Sequence, residues 1–234
     1  MTYVMSDIHG CYEKYRDMLE TIEFAADDTL YVLGDVLDRG PDGFKILLDM
    51  SARPNVVGLL GNHELLAAAV LPSLLRTMRQ GAEQPLSQTE QEQMQEWIQN
   101  GGKPSFLQLS GEEMEIVCEY LPELSAYEEV TAGGRRFVLV HAGMEHFSPA
   151  RPLEEYSLED LLFCRPDPGT SYFSDKTLVF GHTPTRLLHR QIGAPEQPDR
   201  IFHRGTMIGI DCGCGHPNGR LGCLCLDTME DFYV

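Results

Sequence analysis

The sequence is short of cations. Its 234 residues include 18 Lys and Arg against 36 Asp and Glu, a formal net charge of −18. A surface so poor in positive charge repels phosphate backbones and anionic headgroups over most of its area, which argues against a general nucleic-acid or membrane-surface binder. Long apolar runs are missing too. The longest, Leu65 to Leu75, is broken by Pro72 and Ser73 and falls short of the ~20 residues that span a bilayer. No basic segment leads into an apolar stretch at the start, where Met5 is followed at once by Ser6 and Asp7, so no secretory leader and a cytoplasmic location are expected. No Gly-x-x-x-x-Gly-Lys-Ser/Thr loop occurs, which disfavours a Walker-type nucleotide enzyme, and no internal repeat is visible. What is present suffices for a core: 42% hydrophobic and 23% charged residues exclude wholesale disorder and suit one domain over residues 1–234. The seven cysteines are an odd count, which favours free thiols over a disulfide framework.

Periodicity predicts an α/β order in the first third of the chain. Thr2–Met5, Thr29–Leu33 and Val56–Leu60 read as strands; Tyr12–Ile22, Gly43–Met50 and Leu65–Met78 read as helices. Such a βαβαβα run implies mostly parallel pairing. The Gln- and Glu-rich segment near residues 81–109 reads as a helical insertion, with Ser87 and Glu90 as a capping box opening a helix toward Trp97. After a helix around Glu112–Tyr120 the chain turns strand-rich at Tyr127–Thr131, Arg136–Val140, Thr177–Phe180, Thr206–Ile210 and Leu221–Leu226, with a turn at Gly133-Gly134 and a surface loop at Ala194–Asp199. Late hairpins after early βαβ units predict two packed mixed β-sheets flanked by helices.

Five apolar runs are followed closely by Asp, Asn or His, four of them through a Ser or Gly. Asp7 follows Tyr3-Val4-Met5, Asp35 follows Tyr31-Val32-Leu33-Gly34, and Asn62-His63 follows Leu59-Leu60-Gly61. His141 follows Phe137 to Val140, and His182 follows Leu178-Val179-Phe180-Gly181. One such ending is a turn, but five at the carboxyl ends of strands in an α/β sheet point to a shared site. Two carboxylates, an amide and several imidazoles without an obligatory thiolate suit first-row divalent metals such as Mn, Fe or Zn. Asp7, His9, Asp35, Asn62, His141 and His182 are too many for one tetrahedral ion that also binds water, and about right for two ions bridged by one carboxylate.

Ser6-Asp7-Ile8-His9-Gly10, Gly34-Asp35-Val36-Leu37-Asp38-Arg39-Gly40, Gly61-Asn62-His63-Glu64, His141-Ala142-Gly143 and Gly181-His182 stand in the order of a known family. They resemble the phosphoprotein phosphatase branch of the calcineurin-like metallophosphoesterases, although the first motif has Ser6 where Gly is usual. Asn100-Gly101-Gly102, Phe163-Cys164-Arg165 and Gly181-His182-Thr183-Pro184 are most similar to the compact bacterial and bacteriophage lambda protein phosphatase type. The eukaryotic C-terminal Ser-Ala-Pro-Asn-Tyr segment is absent.

The resemblance implies the fold, a calcineurin-like metallophosphoesterase sandwich, and a mechanism. Asp7, His9 and Asp35 would hold one metal, and Asp35, Asn62, His141 and His182 the other, most simply two Mn ions, with a hydroxide between them as nucleophile. Arg39 and Arg165 would bind phosphate oxygens, His63 would protonate the leaving oxygen, and Asp38 would fix the His63 tautomer. Glu64 belongs to the third motif and reads as a helix N-terminal residue near the positive dipole end. His146, His189, His203 and His216 lack matching context. Cys212, Cys214, Cys223 and Cys225 invite a zinc reading, but alternate strand positions and the missing two-residue gap favour buried thiols.

Protein Ser/Thr phosphatase activity on a phosphorylated protein or small phosphoester is the leading expectation. Symmetrical hydrolysis of diadenosine tetraphosphate is the alternative within the same metal site; enzymes of that type typically carry Asp after Gly-Asn-His, where this chain has Glu64. A binding module that recognises phosphorylated partners without turnover is the alternative of another class, disfavoured by the presence of Asp38, Arg39 and His63.

Overall fold

The computed structural model describes residues 1–80, 85–108, 110–196 and 199–234. The early alternation becomes β1 (Thr2–Met5), α1 (Tyr12–Thr21), β2 (Thr29–Val32), α2 (Gly43–Ser51), β3 (Val56–Gly58) and α3 (Asn62–Gln80). β1, β2 and β3 pair in parallel, with Met5 level with Val32 and Val32 level with Gly58. The last part of the chain returns to this sheet. β9 (Gly222–Cys225) lies antiparallel beside β1 with β10 (Glu230–Tyr233) outside it, giving the order β10-β9-β1-β2-β3. The second sheet is β4 (Tyr127–Ala132), β5 (Arg135–Val140), β6 (Thr177–Phe180), β8 (Met207–Gly209) and β7 (Phe202–Arg204), in that spatial order. Its central strands β5, β6 and β8 are parallel and its edge strands antiparallel.

Side chains alternate between two faces along each strand, so each sheet needs two covers. Val4, Leu33 and Leu224 from the first sheet meet Phe137, Leu139, Val179 and Ile208 from the second in the core between them. The opposite face of the first sheet, through Tyr3 and Met5, packs on Tyr15 and Met18 of α1, Ile46 and Leu47 of α2, Leu71 of α3 and Val117 of α6 (Gly111–Tyr120). Val138, Val140, Leu178 and Phe180 on the far face of the second sheet pack on Leu161 of α7 (Leu158–Leu162) and Leu188 of α8 (Thr185–Gln191). The result is helix, sheet, sheet, helix, the expected two mixed sheets flanked by helices.

The insertion contains α4 (Gln88–Trp97), a π-turn at Ile98–Gly102 and α5 (Lys103–Leu107). Its capping box forms between Ser87 and Glu90. Glu90 also accepts from Ser73 Oγ and Arg76 Nη2 of α3, which fastens α4 to its neighbour. Residues 81–84 and 109 of the expected insertion, and residues 197–198 of the expected loop, lie outside the described residues. α5 falls within the expected helical insertion, while the strands β7 and β10 and the helices α7 and α8, three to seven residues each, carry no sequence expectation.

Phe137 is 1% exposed in the core between the sheets, so Phe137→Ala should cost about 3–5 kcal/mol, read as a lower urea midpoint at unchanged slope.

Candidate active site

Parallel strands end at the same edge, and here two sheets deliver their loops to one place. Asp7 and His9 follow β1, Asp35 to Arg39 follow β2, and Asn62 and His63 form the first turn of α3 after β3. His141 follows β5 and His182 follows β6. The small residues that end these runs are required by close approach. A Cβ on Gly61 would lie 2.3 Å from Asp35 N, and one on Gly181 would lie 2.2 Å from Asp7 Oδ2. Asp7, His9, Asp35, Asp38, Arg39 and His182 all have φ between 49° and 70°, the left-handed region that Asp and His tolerate better than most residues. Such a concentration of strained backbone marks a functional surface.

Asp35 stands at the centre. Its Oδ2 is 3.7 Å from His9 Nε2 and 3.8 Å from His63 Nε2, while its Oδ1 is 3.4 Å from His141 Nε2. Among the described residues, two groups have ligand atoms close enough to share a cation, His9 with Asp35 and His63, and Asp35 with His141 and His182. Asp35 belongs to both. Asn62 joins the second group through Oδ1, 3.0 Å from His141 Nε2. Asp7 is held beside it, its Oδ2 accepting from Ser6 Oγ at 2.6 Å and from the His182 N–H at 2.9 Å.

The protonation states fit a divalent metal. His9 Nδ1–H donates to Leu37 O and His141 Nδ1–H to Leu33 O, which leaves each Nε2 as a lone-pair atom pointing into the cluster. His9 Nε2 is buried without a hydrogen-bond partner, and His141 Nε2 faces the Asn62 and Asp35 oxygens with no proton to share. Burial pushes His9 and His182 down to about 3 and lowers His141, so these imidazoles are neutral, as ligands must be. Burial drives the Asp7 carboxyl well above its ordinary range, with the Asp211 and Asp35 charges adding to it. Burial works the same way on Asp35, but the positive charge that His141, His63, His9 and His182 acquire in acid outweighs it and holds Asp35 low. Buried acceptors of this kind, with too few protons among them, are what a cation would satisfy.

His63 differs from the other imidazoles. Burial lowers it, yet the Asp35 and Asp38 charges prevail and its pKa is raised. Its Nδ1 lies 2.7 Å from Asp38 Oδ2, and Arg39 Nη2 lies 3.4 Å from its Nε2. Nine of the ten expected side chains therefore come together. Arg165 stays at the rim, exposed, its charge felt at His182.

Two residues here do more than the sequence implied. Glu64 stands in the first turn of α3 as expected, but it is also fully buried and accepts the N–H groups of Asp35, Val36, Leu37 and Gly61 at 2.7–3.1 Å. Asp211 directly follows the apolar run Met207 to Ile210, with no Ser or Gly between, and carries no sequence expectation. It is 4% exposed, follows β8, and burial pushes it up to about 6. The four late cysteines are buried, but Cys212 packs in the core between the sheets while Cys214, Cys223 and Cys225 pack on the helix side, so the four thiols do not face one way. The cause is that Cys212 and Cys214 lie beyond β8 in a turn where Gly213 has φ 78°, outside strand alternation.

A carboxyl raised on folding destabilises the folded state when ionised, an effect small near the unfolded value of ~3.9 and complete above about 6 for Asp211. Asp211→Asn should therefore raise the Tm of metal-free protein at pH 8, with the gain shrinking as pH falls through 6 toward 4. Thermal melts of both proteins across that range check this, and saturating Mn²⁺ should reduce the gain by supplying the missing positive charge.

A family model described as calcineurin-like phosphoesterase matches residues 2–206. The symmetrical bis(5'-nucleosyl)-tetraphosphatase of Delftia acidovorans is 32% identical over 137 residues, 56% of this chain and 49% of that protein, so the chain spans about half the length of this curated relative. A crystal structure described as a candidate diadenosine tetraphosphatase matches over 100% of this chain and 92% of its own, with TM-score 0.68 at 19% identity. A protein serine/threonine phosphatase from Saccharomyces cerevisiae matches over 95% and 72%, with TM-score 0.57 at 12% identity. At those identities the two structures attest the fold alone. The family match covers most of the 234 residues and agrees with the two-sheet architecture and the convergent Asp and His side chains, and the chain belongs to the calcineurin-like phosphoesterases, a family of metallophosphoesterase hydrolases.

Proposed function

We propose that the chain is a dinuclear-metal phosphohydrolase acting on dinucleoside tetraphosphates, which it would split symmetrically into two nucleoside diphosphates. One observation carries the chemistry: the two oxygens of Asp35 face two separate sets of imidazoles, so that this one carboxylate would be shared by two cations. The substrate class is supported by the Delftia relative. Asp7, His9 and Asp35 would hold one cation, and Asp35, Asn62, His141 and His182 the second. Two such cations supply Lewis-acid charge and an activated water. The rest is done by side chains of this chain. Arg39, beside His63, and Arg165 at the rim offer forked donors to phosphate oxygens. His63 delivers a proton from Nε2 to the leaving oxygen while Asp38 holds Nδ1.

Glu64 in place of Asp does not weigh against this substrate, because its carboxylate is occupied by four backbone N–H groups and serves the loops. The net charge of −18 favours a second reading, protein Ser/Thr phosphatase, since a phosphopeptide meets less repulsion than a tetraphosphate. Mn²⁺-loaded protein assayed on diadenosine tetraphosphate, a phosphoserine peptide, a phosphotyrosine peptide and p-nitrophenyl phosphate decides. The expected result is the highest kcat/KM on the dinucleotide with ADP as sole product. ATP plus AMP would exclude symmetrical cleavage, and turnover confined to the phosphoserine peptide would establish the second reading.

His63→Asn should retain both metals and slow a phosphoserine peptide by roughly 10²–10⁴, the usual worth of general acid catalysis. The loss on diadenosine tetraphosphate should be smaller, because a departing nucleoside diphosphate is a weaker base than an alkoxide. Equal losses on the two substrates would show that His63 positions substrate and does not donate a proton.

A further inference from the structure

We infer that Trp97 and Ser105, supplied by the helical insertion, are positioning residues that hold the Asp38 carboxylate on His63. The inference rests on the reading of His63 as proton donor. Asp38 is fully buried and its side chain takes three donors. Trp97 Nε1–H lies 3.0 Å from both oxygens, Ser105 Oγ–H donates to Oδ1 at 2.8 Å, and His63 Nδ1 meets Oδ2 at 2.7 Å. Ser105 also works in return, its Oγ accepting the Asp38 N–H at 3.1 Å. Next to it the Arg39 N–H donates to Gly101 O at 3.0 Å. The insertion thus grips both residues of the Asp38-Arg39 pair, whose φ values of 70° and 63° need such support.

The π-turn is shaped for this grip. Gly101 has φ 111°, and a Cβ on Gly102 would lie 2.5 Å from the indole nitrogen, so Gly at both positions lets the turn close over Trp97. Asn100-Gly101-Gly102 is thereby explained as the seat of the indole. Without the indole and the hydroxyl, Asp38 would be a buried carboxylate with one partner, free to leave His63 for water or to pull the loop away. Trp97 is also fully buried core, where its N–H needs an acceptor of some kind. That the acceptor is the carboxylate facing His63, met at both oxygens, is what the core role leaves unexplained.

Trp97→Phe keeps an aromatic ring and removes the donor, and Ser105→Ala removes the other. In Mn²⁺-loaded protein each should lower kcat on a phosphoserine peptide by roughly 10-fold to 100-fold, the scale of a lost hydrogen bond to a charged group, with KM and the rate on p-nitrophenyl phosphate nearly unchanged. Asp38→Asn should give the same pattern. Adding Trp97→Phe to Asp38→Asn should cost little more, because both changes cut the same link. The chain has one Trp, so ¹⁵N-labelled metal-free protein shows a single indole N–H resonance. That resonance should move upfield in Asp38→Asn and stay in place in His63→Asn.

Equal losses on both substrates in Trp97→Phe, full additivity with Asp38→Asn, or an indole resonance that ignores Asp38 would each overturn the inference. Should Trp97→Phe fail to fold, the Ser105→Ala kinetics and the resonance in Asp38→Asn carry the test. Asp38→Asn working at the wild-type rate on the phosphoserine peptide would instead defeat the reading of His63 itself, and the inference with it.

Discussion

Glu64 is fully buried, and its two oxygens accept four backbone N–H groups, from Asp35, Val36 and Leu37 after β2 and from Gly61 after β3. Where a strand stops, its next N–H groups lose their ladder partners, and each left unsatisfied in the interior costs about 1–3 kcal/mol. Here three successive N–H groups are released at once so that Asp35 can turn inward. A single carboxylate from the first turn of α3 satisfies them all and ties the β2 loop to the β3 loop. Asp35, Asn62 and His63 are thereby fixed relative to one another before any ion or substrate arrives. Burial and the Asp35 charge push Glu64 up to about 7, so the anion is kept by those four donors against its surroundings.

The same economy of partners governs the rest of the site. Asp7, Asp35 and Asp211 are buried within reach of one another's charge, and three neutral imidazoles surround them. Hydrogen bonds from Ser6 and His182 to Asp7, and from Gly213 N–H to Asp211, go only part of the way to offsetting the burial. A fold that carries six left-handed residues and an under-neutralised acidic cluster at one edge gives up stability there and recovers it in three apolar clusters elsewhere. That division of labour is why the strand interiors can be read as core and the strand ends as chemistry.

Much of this was legible. β1 and β6 match the expected bounds, β2 and α2 lie within a residue of them, and the five strand endings together with the family resemblance identified nine residues that the structure gathers. The pattern sufficed because the ending recurs five times and motifs stand in order around it; any one alone is a turn. What escaped were relations between distant parts of the chain. Glu64 looks like a helix-start acid until its partners 27 to 29 residues away are seen, and Trp97 looks like the end of an amphipathic helix until Asp38, 59 residues earlier, is found on its N–H. Asp211 ends an apolar run as His141 does, but no motif of the family surrounds it to single it out.

Substrate choice is the hardest property to read because the gathered residues are common to both kinds of hydrolysis. Asp35 between its imidazoles and His63 on Asp38 would suit a phosphoanhydride or a phosphoserine alike. Discrimination has to come from groups that meet the rest of the substrate, which lie on the segments between strands. Arg165 stands on one such segment, at a cavity of about 300 Å³ that is also lined by Met144, Phe147, Cys164 and Tyr172. The loop that follows His141 forms part of its wall, and Gly143 packs so closely on Pro166 that a Cβ there would lie 2.6 Å from the ring. The insertion borders the other side, where Gly101 meets Arg39. Between these two walls the acidic surface acts on anything that approaches, and a tetraphosphate would gain entry only where Arg39 and Arg165 locally reverse its sign.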